Sequence, residues 1–382
     1  MMTKIRLLWP RKTQVLIFGE LGVSFLRKAV PKQYTTEVLP IRDGLPVAVR
    51  GSFLIRCLIN CVRQKLSFRQ AYFSALIDEF KPRAIVTFVD NNSILGVYGE
   101  LHSDVLVISI QNALRSAASI KNQVGRAPLY FSLGDITKEL FYETKSSYQR
   151  IESVGSLLLG LYLSENDFGQ DAYDLVFISG YRKSTSNYNS ADHSYEYCKA
   201  LMDANSSIFT HLLRYAKDHC RQIAVLAKGK VANEGEHYAE EREFYQELAL
   251  GSEFTLVSTV KDTFNSYRTT LNANLVITVN STLAYEVLSV GRKTLFGWVS
   301  NSDLESYKEA VRYTKYLPES LILNNDSYEE FQEKVTALID LRPEDYESVI
   351  EEYKSKCVNQ DTNGAPHLLV EREIRRHIEQ HY

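Results

Sequence analysis

The chain alternates short apolar runs with longer amphipathic stretches, the pattern of strands that alternate with helices. The first half contains four such runs: Thr13–Phe18, Val38–Ile41, Arg83–Val89 and Val105–Ile110. The second half contains five: Leu175–Ser179, Gln222–Ala227, Glu253–Val257, Leu275–Val279 and Lys293–Phe296. Uninterrupted apolar strands between helices are typical of parallel sheets covered on both faces. The sequence therefore predicts an α/β protein with two doubly wound, Rossmann-like domains.

The predicted domains divide at the segment 161–172, where the periodicity is lost and polar residues indicate a linker. We expect an N-terminal domain over 1–163 and a C-terminal domain over 173–342. Residues 343–382 are predicted to form C-terminal helices that pack back across the domains. Ligands of open parallel sheets bind at the carboxyl ends of the strands, so we expect a cleft between the domains.

The most informative stretch is Leu275–Trp298, which predicts a strand, a polar turn, a short helix and a second strand. Asn280, Ser281 and Thr282 start the helix, where free backbone N–H groups favour a phosphate. Glu286 follows Thr282 by four residues and shares its helix face, within reach of a sugar hydroxyl. The alternative is that Ser281 and Thr282 only cap the helix and that Glu286 is a first-turn acid.

Two further loops of the second half carry candidate nucleotide-binding residues. Ser179, Gly180 and Arg182 directly follow a predicted strand and are placed to close over a phosphate or base. Lys228 follows the strand that ends at Ala227, and a lysine there can offset charge on a leaving nucleotide. The alternative for Arg182 is ordinary loop charge.

Three carboxylates are candidates for an acid–base or nucleophilic role. Asp90 ends a buried strand at the expected cleft, and its alternative role is an Asx-turn or a helix cap. Glu20 follows the first strand on the predicted acceptor side, where a surface turn is the alternative. Glu241 lies near a helix start, where a solvated surface residue is the alternative.

Side-chain amides accompany these carboxylates in the first half of the chain. Asn91 and Asn92 follow Asp90, and Gln111 and Asn112 follow the next predicted strand. Amides at the carboxyl edge of a sheet can bind the hydroxyl groups of a sugar substrate. They also commonly satisfy buried loop backbone, and the sequence leaves both roles open.

Charge is divided unevenly along the chain. Residues 1–150 contain 21 Lys and Arg against 11 Asp and Glu, whereas the remaining residues contain 23 against 36. A basic first half fits anionic lipid or an acidic glycan, and a solvated surface is the alternative. Nucleic acid is not expected, because no nucleic-acid-binding motif accompanies the charge.

The cysteines and the apolar runs bear on cofactors and location. Five cysteines without a Cys-x-x-Cys pair indicate reduced thiols, and no metal site is expected. No apolar run approaches the length of a membrane span, and no signal-peptide core is evident, so a cytoplasmic protein is expected.

The basic, apolar stretch Arg50–Arg69 fits two interpretations. It could rest on a membrane, which would make the protein peripheral to the inner membrane. The alternative, which the pattern favours, is a core-facing helix whose arginines reach out to solvent.

Five short segments, in this order, resemble bacterial surface-carbohydrate glycosyltransferases of the GT-B class. They are Phe88-Val-Asp-Asn-Asn, Ile108-Ser-Ile-Gln-Asn-Ala-Leu-Arg115, Phe131-Ser-Leu-Gly134, Val154-Gly-Ser-Leu157 and Asn280-Ser-Thr-Leu-Ala-Tyr-Glu286. More narrowly, they are similar to the retaining β-Kdo transferases of O-antigen and capsule assembly. The sequence departs from that pattern at Ala113, where glycine is expected, and at residues 228–236, where the family has an arginine-centred loop.

The resemblance implies a glycosyltransferase with its nucleotide-sugar donor in the C-terminal domain. The expected donor is CMP-Kdo or a related acidic sugar, with a UDP-sugar as the alternative. The expected acceptor is a surface polysaccharide or a lipid-linked glycan. Two other functions remain open, namely a nucleotide-sugar epimerase of the same fold and a non-catalytic glycan-binding protein.

Overall fold

A computed structural model describes residues 5–41, 45–48, 51–124, 126–166, 172–182, 195–230, 235–259, 263–299, 313–360 and 365–381. The chain forms two compact units. The N-terminal unit comprises residues 1–161 and 361–382, and the C-terminal unit comprises residues 162–360.

The N-terminal unit is built on a six-stranded parallel sheet in the order β3-β2-β5-β6-β7-β8. Its central strands are short and wholly apolar or nearly so, and every residue of β2 and β5 is buried. Such strands form because both faces of the sheet are covered by helices. The strands are β2 (Val15–Phe18), β3 (Thr36–Leu39), β5 (Ala84–Thr87), β6 (Leu106–Ile110), β7 (Arg126–Ser132) and β8 (Ser147–Ser153).

The helices of this unit pack on the six-stranded sheet. The unit also contains a small second sheet. That sheet pairs β1 (Ile5–Leu8) with β4 (Leu45–Ala48) in parallel. The helix α3 starts with a reciprocal capping box between Ser67 and Gln70. The helices are α1 (Val23–Ala29), α2 (Gly51–Arg63), α3 (Phe68–Phe80), α4 (Ser93–Leu101), α5 (Ala117–Ser119), α6 (Asp135–Glu143), α7 (Leu157–Glu165) and α14 (Pro366–His381), with a π-helical turn at Ile120–Val124. The helix α7 crosses the boundary, since its residues from 162 onward belong to the C-terminal unit.

The C-terminal unit is built on a five-stranded parallel sheet in the order β11-β10-β9-β12-β13. Ile178, near the end of the central strand, pairs with Leu226 on one side and with Thr278 on the other. The loops after β9 and β12 therefore start at one level of the same sheet edge, whereas β10 continues beyond that level to Lys230. The strands are β9 (Tyr173–Ile178), β10 (Ile223–Lys230), β11 (Thr255–Thr259), β12 (Ala273–Thr278) and β13 (Thr294–Phe296).

The helices of the C-terminal unit include α8, the longest described, which buries an apolar stripe along its length. The helix α13 starts with Pro343, whose missing N–H is not needed at a first-turn position. The helices are α8 (Tyr195–Asp218), α9 (Gly235–Ala249), α10 (Asn265–Leu271), α11 (Thr282–Leu288), α12 (Tyr328–Asp340) and α13 (Pro343–Cys357), with 3₁₀ turns at Thr314–Tyr316 and Glu319–Leu321.

The predicted fold class, two doubly wound α/β domains, is confirmed. The sequence missed β1, β4, β7 and β8. Arg6 interrupts β1, a proline interrupts β4 (Pro46) and β7 (Pro128), and β8 is mostly polar. The expected C-terminal group 343–382 is also divided differently, since α13 belongs to the C-terminal unit and α14 to the N-terminal unit.

The helix α2 corrects the interpretation that the sequence favoured. Phe53 and Cys57 are buried in a core cluster with Tyr72. The opposite side of α2 is apolar as well, yet it is exposed, so the core-facing interpretation is wrong for that side. No helix in the described ranges is long and apolar enough to cross a bilayer.

Candidate functional site

The order of strands in the C-terminal unit defines where a ligand crevice lies. From the central strand β9 the chain proceeds to β10 and β11 on one side, and then to β12 and β13 on the other. The direction of progress reverses between β9 and β12, and ligands of doubly wound sheets bind outside the carboxyl ends of the strands at this switch point. Six predicted binding residues flank it: Ser179, Gly180 and Arg182 in the loop after β9, Asn280 and Ser281 in the loop after β12, and Thr282 at the start of α11.

The turn before α11 is not a simple helix cap. Ser281 occupies the N-cap position in an extended conformation, but its side chain makes no capping hydrogen bond. Its carbonyl oxygen accepts the Ala284 N–H at 3.0 Å. Because α11 has only seven residues, its dipole is small, and the expected phosphate attraction must come mainly from side chains.

Glu286 lies on α11 and is 7% exposed. Helical spacing places it on the same side of α11 as Thr282. Its own carbonyl oxygen accepts the Ser289 hydroxyl at 2.6 Å. A carboxylate at this depth is expensive to bury unless polar groups surround it, and Glu286 does interact with neighbouring groups of the protein.

Two cations, Arg182 and Lys228, lie close enough to repel each other. Burial and the Arg182 guanidinium together lower the pKa of Lys228 to about 7, and Glu241 opposes this effect. Lys228 is nevertheless an exposed residue, so water screens part of this effect, and the downward direction of its pKa is the chemically relevant result. The Nε of Arg182 is buried without a hydrogen-bond partner among the described residues. An anion between the two side chains would stabilise protonated Lys228 and would also give Arg182 Nε a hydrogen-bond acceptor.

A buried polar network holds the two segments that carry these cations. Arg182 lies in the loop after β9, whereas Lys228 lies within β10 and not, as the sequence predicted, after its end. Glu241 is fully buried and accepts the Ser179 hydroxyl at 2.5 Å and the Lys228 backbone N–H at 2.9 Å. Tyr245 donates its hydroxyl to Ser179 Oγ at 2.8 Å, and burial raises its pKa well above the usual range. Asn205 accepts the Gly180 N–H at 2.7 Å. The network fixes the ends of β9 and β10 against each other.

These contacts favour a positioning role for Glu241 over the predicted acid–base role. Its carboxylate is occupied by groups of the protein, and those groups set the course of two loops. The sequence did not single out Asn205 and Tyr245. A signal was available, because Glu241 and Tyr245 are spaced i, i+4 on α9 and Asn205 interrupts the apolar stripe of α8.

Replacing Glu241 with alanine should lower the free energy of unfolding by about 1–3 kcal/mol, because buried donors lose their acceptor. Urea denaturation of the full chain measures this change. Glu241→Gln, which retains one carbonyl oxygen, should lose less, and Glu243→Ala at an exposed site of α9 should lose almost nothing. If Glu241→Ala is as stable as the native protein but has lost turnover, the predicted acid–base role of Glu241 is correct.

In the N-terminal unit, Asp90 is held in a buried ion pair. Its carboxylate accepts both Arg115 Nε, at 2.9 Å, and Arg115 Nη2, and it also accepts the Tyr130 hydroxyl at 2.6 Å. The Asp90 side chain is 0% exposed and that of Arg115 is 13% exposed. Burial lowers the pKa of Arg115, but the Asp90 carboxylate and the Tyr130 side chain more than offset this effect, so the pKa is raised above its usual value. Asp90 thus orients Arg115, and this arrangement favours neither the predicted catalytic role nor the helix-cap alternative.

The other predicted residues of this unit are engaged with neighbouring loops. Glu20 accepts the Ile41 N–H at 2.9 Å, which ties the loop after β2 to the loop after β3. Asn92 caps α4 by accepting the Ile94 N–H at 3.0 Å. Asn91 precedes that cap. These contacts place Glu20 and Asn92 in structural roles.

The amides after β6 also serve the backbone. Gln111 donates to the Ala113 carbonyl at 2.9 Å and accepts the Leu133 N–H at 2.9 Å. Asn112 donates to the Phe88 carbonyl at 2.6 Å and accepts from Arg115 at 2.9 Å. The alternative of satisfied loop backbone is therefore what the structure shows for both amides.

The loops after β2 and β5 meet at the switch point of the N-terminal sheet and pack closely. Gly22 adopts a left-handed φ of 61°, and a Cβ on it would lie 2.6 Å from the Phe88 ring. The Thr87 hydroxyl donates to the Phe18 carbonyl at 2.6 Å. Glycine is thus required where the two loops touch.

Two other features bear on the expected chemistry. Within the described ranges, no group of three or more His, Cys, Asp or Glu side chains is arranged to hold a metal ion. A cavity of about 990 Å³ lies at the amino ends of β9, β10 and β11, and its lining includes Arg221 and Arg242. It contains none of the predicted site residues and lies at the edge of the sheet opposite the switch point.

Several solved structures resemble this chain over nearly its full length. A "putative UDP-N-acetylglucosamine 2-epimerase" from Listeria monocytogenes is 13% identical over 97% of each chain, with a TM-score of 0.57. The wall teichoic acid polymerase TagF, solved with CDPG, is 11% identical over 96% of this chain and 89% of that one, with a TM-score of 0.53. MnaA of S. aureus, solved with UDP, is 14% identical over 99% and 96%, with a TM-score of 0.52.

These likenesses define the fold, and the predicted GT-B-like class is confirmed. A family model described as "putative O-antigen biosynthesis protein" matches residues 135–369, more than half of the chain. The protein belongs to this O-antigen biosynthesis family. No curated protein matches the sequence.

Proposed function

We propose that the protein is a glycosyltransferase that uses a nucleotide-sugar donor in O-antigen assembly. The observation that carries the proposal is the pair of cations, Arg182 and Lys228, beside the switch point of the C-terminal sheet. Departure of a nucleotide from a sugar leaves negative charge on its phosphate, and fixed cations stabilise that charge. Ser281 and Thr282 lie in the adjacent loop and offer hydroxyl groups to the same phosphates.

The donor that best fits this arrangement is a nucleoside diphosphate sugar, such as a UDP-sugar. Two neighbouring cations match two linked phosphates, which place two negative charges close together. MnaA, which shares the fold, is described with UDP, and TagF is described with CDPG. CMP-Kdo, the donor that the sequence resemblance implies, carries one phosphate and a sugar carboxylate instead of two linked phosphates. It remains the second candidate.

Glu286 is assigned to the donor as well, through hydroxyl groups of its ribose or sugar. Changing Glu286 to glutamine keeps the shape but removes the charge, and it should weaken donor binding by roughly 10- to 100-fold. Isothermal titration with UDP, UDP-sugars, CMP and CMP-Kdo measures this change and identifies the base. Glu352→Gln, at an exposed position of α13, is the matched control. Equal affinities of Glu286→Gln and the native protein would remove Glu286 from the site.

Product analysis separates the transferase from the epimerase alternative, which the likeness to the Listeria protein keeps open. A transferase releases the nucleotide in step with glycosylation of an acceptor. An epimerase converts the donor sugar without any acceptor. Nucleotide binding without either product would instead indicate the non-catalytic glycan-binding alternative.

A further inference from the structure

The helix α2 of the N-terminal unit presents an apolar stripe to solvent. Phe53 and Cys57 anchor one side of the helix in the core. The opposite side is apolar too, and its side chains are 42–78% exposed. Their spacing of three and four residues places them on one face of the helix. The stripe consists of Leu54, Ile55, Leu58, Ile59 and Val62.

The same region of the unit exposes further large apolar side chains. Trp9 is 76% exposed and Phe68 is 67% exposed, while Ile5 and Leu7 on β1 are similarly open. Leu8, which follows Leu7, packs against the cluster that holds Phe53. Of the fifteen exposed large apolar side chains in the described ranges, nine lie between residues 5 and 68. Such a concentration marks an interaction surface.

The region around α2 is also basic, and this charge indicates what kind of surface it binds. Residues 44–77 contain no Asp or Glu and five basic residues. Arg63, Lys65 and Arg69 are exposed and form no ion pair with any described residue. Cations beside an exposed apolar stripe on a surface helix fit the interface of an anionic bilayer, which takes up the apolar side chains and attracts the cations.

A second copy of the chain fits this surface poorly. In a symmetric dimer the same patch would face itself, and the basic residues of one copy would approach those of the other. Like charges brought together in this way oppose association, whereas phosphate headgroups attract the same cations.

We propose that the exposed stripe of α2, with its flanking basic residues, docks the protein on an anionic phospholipid bilayer. The stripe lies in the interface region without crossing the bilayer, because α2 spans only thirteen residues. This surface is separate from the nucleotide site and does not depend on the proposed reaction. It would bring the enzyme to acceptors that are attached to lipid.

Flotation of the full-length protein with phospholipid vesicles tests the proposal. The native protein should bind vesicles that contain phosphatidylglycerol, and it should bind much less to pure phosphatidylcholine or at high salt. Combined replacement of Arg63, Lys65 and Arg69 by glutamine should lower binding by roughly fivefold for each cation removed. The matched control replaces three exposed cations elsewhere, Lys199, Lys217 and Arg372, by glutamine and should keep nearly full binding.

A second variant tests the apolar component. Leu54→Gln, Leu58→Gln and Val62→Gln together should abolish detectable flotation, since each buried leucine contributes roughly tenfold or more. Leu250→Gln with Leu368→Gln, exposed sites outside the stripe, should leave flotation intact. Because all of these side chains are exposed, melting temperature and nucleotide affinity should stay native.

Two results would overturn the proposal. One is that the native protein does not float with anionic vesicles. The other is a concentration-dependent dimer in sedimentation velocity that the apolar variant dissociates, which would show that a second copy covers the stripe. Loss of nucleotide binding in unrelated variants would bear on the proposed function alone.

Discussion

Replacing Lys228 with methionine should weaken nucleotide-sugar binding by roughly 10- to 100-fold, the usual worth of a hydrogen bond to a charged group. The same change should stabilise the ligand-free protein near neutral pH. Protonated Lys228 is disfavoured in the folded state, because burial and the Arg182 charge lower its pKa. Methionine has no charge to desolvate and retains much of the length of the lysine stem.

The pH dependence of stability follows from the sign of that shift. At pH values between the lowered pKa of Lys228 and the ordinary lysine value, the unfolded chain binds more protons than the folded protein. The free energy of unfolding therefore rises with pH across this range, and the penalty is fully present below it. The stabilisation by Lys228→Met should be largest near pH 7 and should shrink toward pH 10.5, the ordinary lysine pKa.

Donor binding should show the opposite trend. Phosphates favour protonated Lys228 and raise its pKa in the complex. Binding therefore takes up a proton, and affinity falls as the pH rises from neutral toward the ordinary lysine pKa. Titrations of a UDP-sugar at several pH values measure this slope. Lys228→Arg should keep binding but lose the slope, because arginine stays protonated. Lys217→Met, an exposed control on α8, should behave as the native protein. A native slope in Lys228→Arg would exclude Lys228 as the source.

Breaking the Asp90–Arg115 pair should produce the largest loss of stability, about 3–5 kcal/mol for Asp90→Ala. The change leaves a guanidinium that is 13% exposed without the carboxylate that it faces. It also removes the acceptor of the Tyr130 hydroxyl. Urea denaturation of the full chain, with hydrogen exchange at β5 and β6 to identify the unit that unfolds, measures the loss.

Two controls define what that loss means. Asp345→Ala breaks the exposed pair with Arg342 and should cost about 1 kcal/mol or less. Asp90→Asn combined with Arg115→Met should be more stable than Asp90→Ala, because no buried charge is left uncompensated. If Asp90→Asn alone keeps full stability but loses turnover, the acid–base role that the sequence predicted is correct.

Much of the fold was predictable because buried parallel strands are local features. Apolar runs such as Leu275–Val279 can be recognised in the sequence without knowing which strands lie beside them, and polar residues mark their ends. The topology rule then places the following loops at one edge of a sheet. Ser179, Arg182, Lys228 and Ser281 are grouped in this way by the sequence alone.

The roles of the carboxylates could not be predicted, because they depend on distant partners. Asp90 and Arg115 are 25 residues apart, and Ser179 and Glu241 are 62 residues apart. A carboxylate at a strand end looks the same in the sequence whether it faces a substrate or an arginine. Only the folded arrangement shows that Asp90 and Glu241 are occupied by the protein itself.

The sequence by itself determined the two doubly wound domains and the loops that form the candidate donor site, because apolar runs and strand order are encoded locally. The tertiary structure decided which side chains those loops bring together and which surfaces stay open. The helix α2 shows the reason: its pattern suits a core helix, yet no described element covers the stripe from Leu54 to Val62. Burial depends on what packs against a residue, and the pattern along one segment does not contain that information.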